Sequence, residues 1–149
     1  MVCLGNICRS PLAHGIMEAK IEKEGLHWEV DSAGTSSFHS GSAPDPRSVE
    51  EAAKHDLDIS NQQSRQIVHA DLQYYDLILA MDTSNYNNVR NLASDKLELD
   101  KIKLILNYVT PGHNRSVPDP YYEGGFSKVY DMLEEAIDRI TDIRTPTAH

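Results

Sequence analysis

Cys3 and Arg9 stand near the start of the chain with five residues between them, in the string Val2-Cys3-Leu4-Gly5-Asn6-Ile7-Cys8-Arg9-Ser10-Pro11. A thiol and a guanidinium at this spacing, followed by Ser-Pro, suit a loop that curls over the start of a helix. Ser10 can cap orphan N–H groups there, and Pro11 can take the first helical position. The backbone N–H groups of Leu4, Gly5, Asn6, Ile7, Cys8 and Arg9 then converge on one small cavity, with the positive end of the helix dipole behind them. A tetrahedral oxyanion fits such a cradle. Arg9 supplies a planar fork for two of its oxygens, and Gly5 relieves the crowding of a tight turn. Cys3 lies beneath the anion, where the same donors favour a thiolate nucleophile. Arg9 is a poor choice at a helix start unless an anion offsets its charge, which again points to anion binding.

These groups need a frame, and the rest of the chain reads as one. Leu12, Ala13, Ile16, Met17 and Ile21 recur at helical spacing across residues 10–24, and Gly25 is placed as the stop. Residues 26–30 alternate like a short strand, and residues 33–45, rich in Ser, Gly and Pro, read as a loop. Pro46 opens a second helix to about residue 54, and residues 69–75 suit a short third. Residues 77–81 are continuously apolar, as in a strand covered on both faces. Asp82 or Thr83 then caps a helix to about residue 92, and residues 102–106 read as another strand. A long loop with three prolines fills 109–125, and Phe126, Val129, Tyr130, Leu133, Ala136, Ile137 and Ile140 mark the last helix. Residues 145–149 are expected to fray. Strands alternating with helices imply an α/β layer structure with ligands at the carboxyl ends of the strands, where the Cys3 loop would sit.

Composition narrows the function. At 149 residues and 40% hydrophobic, the expectation is one domain over residues 1–149. No stretch approaches about eighteen apolar residues and the start lacks a basic region before an apolar run, so neither a membrane span nor a signal peptide is expected. Both cysteines lie in the loop and cannot staple a fold, which fits a reducing, cytoplasmic setting. With 14 Lys+Arg against 23 Asp+Glu, a net charge of −9, nucleic acid is an unsuitable partner, and any phosphate must be held by a local pocket. Cys-x4-Cys lacks a second ligand pair, so no metal is expected, and nothing calls for a cofactor.

The string from Cys3 to Pro11, taken whole, resembles the low-molecular-weight protein tyrosine phosphatases. Further stretches are similar in the same order: Val30-Asp31-Ser32-Ala33, Pro44-Asp45-Pro46-Arg47, Ser64-Arg65-Gln66-Ile67, Met81-Asp82-Thr83-Ser84-Asn85 and Asp119-Pro120-Tyr121-Tyr122. The resemblance implies a three-layer fold with a four-stranded parallel sheet flanked by helices, whose central strand leads into Cys3. Only Met1 and Val2 precede Cys3, so that strand is expected to be largely missing and too short to pair on both sides. Either the chain begins late or another element fills the slot.

The same resemblance implies Cys3 as nucleophile forming a phosphocysteine, Arg9 as phosphate clamp and Asp119 as general acid and later base. Phe38, Tyr121 and Tyr122 would wall the pocket for a phenyl ring. Asn6, Ser10 and Ser32 would support the loop, with Gln62 standing where the family has a histidine. Asp82 matches a family acidic residue near the loop but suffices as a helix cap. Cys8 would be a resolving thiol for oxidised Cys3. The substrates implied are tyrosine-phosphorylated proteins, with inorganic phosphate as product. Alternatives are a protein arginine phosphatase, which tends to carry Thr where this chain has Ile7; an arsenate reductase, which needs downstream cysteines absent after Cys8; and a non-catalytic phosphate-binding module.

Overall fold

The apolar run at 77–81 forms the strand Ile78–Ala80, and its side chains divide between two cores. Ile78 packs with Val2, Ala33, Leu72, Val89 and Ile102 on one face, while Leu79 and Met81 pack with Leu12, Ile16, Leu133, Ile137 and Ile140 on the other. Alternation along a strand sends neighbours to opposite faces, so a strand covered on both sides must be apolar throughout. The computed structural model describes residues 1–144; the expected frayed tail at 145–149 lies outside the described residues.

Four parallel strands make the sheet: β1 Val2–Cys3, β2 Ala33–Gly34, β3 Ile78–Ala80 and β4 Ile102–Leu104, in the order β2-β1-β3-β4. Helices α1 Arg9–Glu24, α2 Pro46–Ala53 and α7 Phe126–Arg144 cover one face. Helices α3 His69–Tyr74 and α4 Thr83–Arg90 cover the other, with α5 Lys96–Asp100 before β4 and α6 Pro120–Glu123 before α7. The expected three-layer α/β architecture is present.

Helices α1, α2 and α4 each have a residue that starts or stops them. Gly25 ends α1 at φ 63°, a left-handed conformation that glycine adopts without a Cβ penalty. Asp45 caps α2 by accepting from Arg47 N, ahead of Pro46 in the first turn, and Asp82 caps α4 by accepting from Asn85 N.

The expectation that two residues before the loop cannot pair on both sides is corrected. Val2 aligns with Ala33 on one side and Ala80 on the other, and Cys3 with Gly34. Ala33 N donates to Met1 O at 3.0 Å, Thr35 N to Cys3 O at 2.9 Å and Met81 N to Val2 O at 3.0 Å. The neighbouring strands are themselves two and three residues long, so a two-residue strand matches what flanks it. Ahead of Met1 the slot continues as a cavity of about 470 Å³ bordered by Trp28, Val30, Leu77, Ile78 and Ile140.

That cavity also corrects the strand expected at 26–30. The segment alternates but runs beside the cavity, without a ladder partner, and pairing starts only at Ala33. Two further differences are local. Residues 105–108 tighten into a 3-10 turn instead of prolonging β4, and the loop after Val109 contains α6, capped by Asp119 ahead of Pro120.

Gly34 presses against the loop that follows β1. A Cβ there would meet Leu4 O at 2.7 Å and Asn6 N at 3.1 Å, both backbone atoms that cannot swing aside. Gly34→Ala is therefore expected to lower stability by about 1–3 kcal/mol, read from the urea midpoint. A variant as stable as the parent would show that β2 can move away from the loop.

Candidate active site

The loop from Cys3 to Arg9 turns on Asn6, which has φ 55°, and not on Gly5, where glycine was expected to accommodate a positive φ. Its amide donates to Cys3 Sγ at 3.3 Å, and Ser10 Oγ lies 3.1 Å from the same sulfur. Asn6 Nδ2 donates to Ser10 Oγ at 2.7 Å and to Ser32 Oγ at 3.0 Å, while Arg65 N donates to Asn6 Oδ1 at 3.1 Å. Ser64 Oγ donates to Gly5 O at 2.9 Å. Asn6, Ser10 and Ser32 thus meet in one hydrogen-bonded cluster. Among the described residues, the amides of Gly5, Ile7 and Cys8 have no acceptor. Buried or half-buried N–H groups normally find a partner, and these border a cavity of about 340 Å³.

Ser10 does not cap α1. The helix begins at Arg9 with no side-chain cap bond at Cys8, and the Ser10 hydroxyl serves the loop instead. Gln62 is a second correction. Its Nε2 donates to Pro11 O at 3.1 Å, so it braces the first turn of α1, and among the described residues its side chain has no hydrogen bond to Asn6, Ser10 or Ser32. The histidine of the network comes from α1 itself: His14 Nδ1 is 3.1 Å from Ser32 Oγ. Burial lowers the His14 pKa, which favours a neutral ring able to accept from that hydroxyl. The sequence signal was the i,i+4 relation of Ser10 and His14 on one helix face.

Arg9 is 2% exposed and is held from three sides. Its guanidinium donates to Asp82 Oδ2 at 2.8 Å, Val117 O at 3.0 Å and Asp119 Oδ2 at 3.5 Å. Asp82 fills both roles considered for it, since its second oxygen accepts from Asn85 N. Asp119 caps α6 by accepting from Tyr121 N at 3.0 Å and faces the cavity that Cys3 and Arg9 line.

Leu4, Cys8, Phe38, Tyr121 and Tyr122 line the same cavity. Phe38 is 85% and Tyr122 77% exposed, so the aromatic rim is open to solvent. Ser36 and His39 also line it, and sequence reasoning missed both. Their signal was faint: a loop rich in small polar residues, without periodicity. Burial and the nearby Asp45 carboxylate push the Cys8 thiol up to about 12. The larger cavity beside Met1 borders none of Cys3, Arg9 and Asp119.

The chain is similar to known proteins along nearly its whole length. A family described as low molecular weight phosphotyrosine protein phosphatase matches residues 1–144. A Synechocystis protein carrying that family's name is 47% identical over 141 residues, covering 91% of this chain and 88% of its own. The crystal structure of YfkJ from Bacillus subtilis, whose sequence is named a low molecular weight protein-tyrosine-phosphatase, superposes with a TM-score of 0.89 at 33% identity, covering 97% of this chain and 94% of that one. A Drosophila arginine phosphatase superposes at 0.90 with 31% identity, covering 99% and 97%. With the family matched from the first residue through the last helix, and a thiol, a buried arginine and a carboxylate gathered on one cavity, this chain belongs to the low molecular weight phosphotyrosine protein phosphatase family.

Proposed function

We propose that this chain hydrolyses phosphotyrosine in proteins, and small aryl phosphates, through a phosphocysteine intermediate. The observation that carries the reading is the set of unpartnered loop amides around Cys3 beside a buried, pre-oriented Arg9. A phosphoryl group bound there has its charge met by fixed donors, and Cys3 Sγ lies beneath it with Asn6 N and Ser10 Oγ to stabilise an anionic sulfur. The thiolate attacks phosphorus as the P–O bond to the phenol breaks, and Asp119 gives that oxygen its proton. Water then attacks the phosphocysteine with the Asp119 carboxylate as base. The S–P bond breaks, Ser10 donates to the departing thiolate, and inorganic phosphate leaves.

Phe38, Tyr121 and Tyr122 offer apolar walls to a phenyl ring. The bulk of Ile7 beside them favours phosphotyrosine. The likeness to an arginine phosphatase supports a second reading, tested by offering phosphotyrosine and phosphoarginine peptides in parallel. Faster release of phosphate from the arginine peptide would reverse the assignment. Two free thiols at the site fit a reducing, cytoplasmic setting, and no described helix is long and apolar enough to cross a membrane.

Cys3→Ser is expected to lower turnover of an aryl phosphate about a thousandfold or more while phosphate still binds. Near-parental turnover would remove Cys3 as nucleophile. Asp119→Ala is expected to cut kcat/KM for phenyl phosphate about a hundredfold or more, and far less for dinitrophenyl phosphate, whose leaving group needs no proton. Equal losses on both esters would assign Asp119 a structural role.

Cys8 is proposed to resolve a Cys3 sulfenic acid: its thiolate attacks the Cys3 sulfur, a disulfide forms and hydroxide leaves as water. Because Cys8 is pushed up to about 12, its thiolate fraction rises about tenfold for each pH unit across neutrality. Disulfide closure after peroxide treatment should accelerate accordingly between pH 7 and 8, followed by mass spectrometry. Full thiol-dependent recovery of Cys8→Ser would dismiss it as the resolver.

A further inference from the structure

We propose that Arg47 is the positioning residue for the proton donor, clamping the segment that carries Asp119 to the loop that carries Cys3. The inference rests on the reading of Asp119 as general acid. The segment needs a clamp. Helix α6 is four residues long, and Gly124 and Gly125 follow it at φ 75° and 79°, a conformation that leaves the join to α7 compliant. Among the described residues, the Asp119 carboxylate accepts only from Tyr121 N and, at 3.5 Å, from Arg9.

Among the described residues, the side chain of Arg47 is the one from another element that donates to the backbone of α6, reaching Tyr121 O at 3.2 Å. Its guanidinium also lies over the rings of Tyr121 and Phe126, at 5.5 and 4.8 Å, and so grips both sides of the Gly124-Gly125 join. From there it forms a two-pronged pair with Asp45, at 3.1 Å through Nε and 3.0 Å through the terminal nitrogen. Asp45 in turn donates its amide to Ile7 O at 2.8 Å, inside the Cys3 loop. A continuous path therefore runs from Ile7 through Asp45 and Arg47 to Tyr121, whose amide holds the Asp119 carboxylate.

Arg47 is half-exposed, and an exposed ion pair contributes little to stability. Its weight is geometric. A planar fork meeting a carboxylate, a carbonyl and two ring faces is satisfied together only when α6 sits where it does. The capping bond of α2 uses the Arg47 backbone amide, so the helix survives loss of the side chain.

The test compares Arg47→Met with the parent on phenyl phosphate and dinitrophenyl phosphate. The expected result is a fall in kcat/KM of about tenfold on phenyl phosphate, in line with a small displacement of a reacting group, and of no more than about twofold on the dinitrophenyl ester. On phenyl phosphate, adding Arg47→Met to Asp119→Ala should cost nothing further, because the two act through one proton. Equal losses on the two esters, or a loss that multiplies with Asp119→Ala, overturns the proposal while leaving the phosphatase reading intact. A parent inactive on both esters overturns that reading and this inference with it.

Discussion

Everything at the site depends on Asn6 being held against its own backbone preference. A non-glycine residue at φ 55° carries about 1–2 kcal/mol of strain, though Asn tolerates the region better than most. Its side chain offsets this by tying three separate segments together: Ser10 on α1, Ser32 ahead of β2 and the backbone of Arg65. Each buried hydrogen bond contributes about 0.5–1.5 kcal/mol, so the sum covers the strain. The turn that results aims the Asn6 amide at sulfur and leaves its neighbours' amides facing the cavity. Gly34 is the counterpart, since only a residue without Cβ lets β2 lie so close to the bent backbone.

Charge is arranged with the same economy. An acidic chain, at −9, buries one guanidinium at the bottom of its cavity. Asp82 cannot swing away from Arg9 because its other oxygen caps α4. Val117 O accepts from the same nitrogen of Arg9. Asp119 is the looser partner, at 3.5 Å, although its other oxygen likewise caps a helix, by accepting from Tyr121 N.

Much of this was legible in the residues. The helices α1, α2, α4 and α7 follow from apolar spacing and from their caps, because a long amphipathic stretch constrains its own conformation. The family was legible because the string from Cys3 to Pro11, taken whole, resembles that family, whose model matches residues 1–144. Strands of two or three residues carry almost no period, so β2 was misplaced onto the alternating 26–30 segment. The helix α5 is too short for periodicity, and only Asp95 followed by Glu98 marks it. His14, which no expectation covered, stands where Gln62 was expected, for a reason visible only in three dimensions: the ring on α1 lies on the side facing Ser32, whereas the amide faces Pro11.

The short central strand has a practical meaning for anyone handling the protein. The Met1 amine donates to Asp31 O at 3.1 Å, and burial lowers its pKa to about 6, so a positive charge is poorly tolerated where the cavity begins. Residues fused ahead of Met1 would turn that amine into an uncharged amide able to keep the same bond, and would meet the cavity that Trp28 and Leu77 border. An affinity tag at this end therefore abuts a walled hollow rather than open solvent.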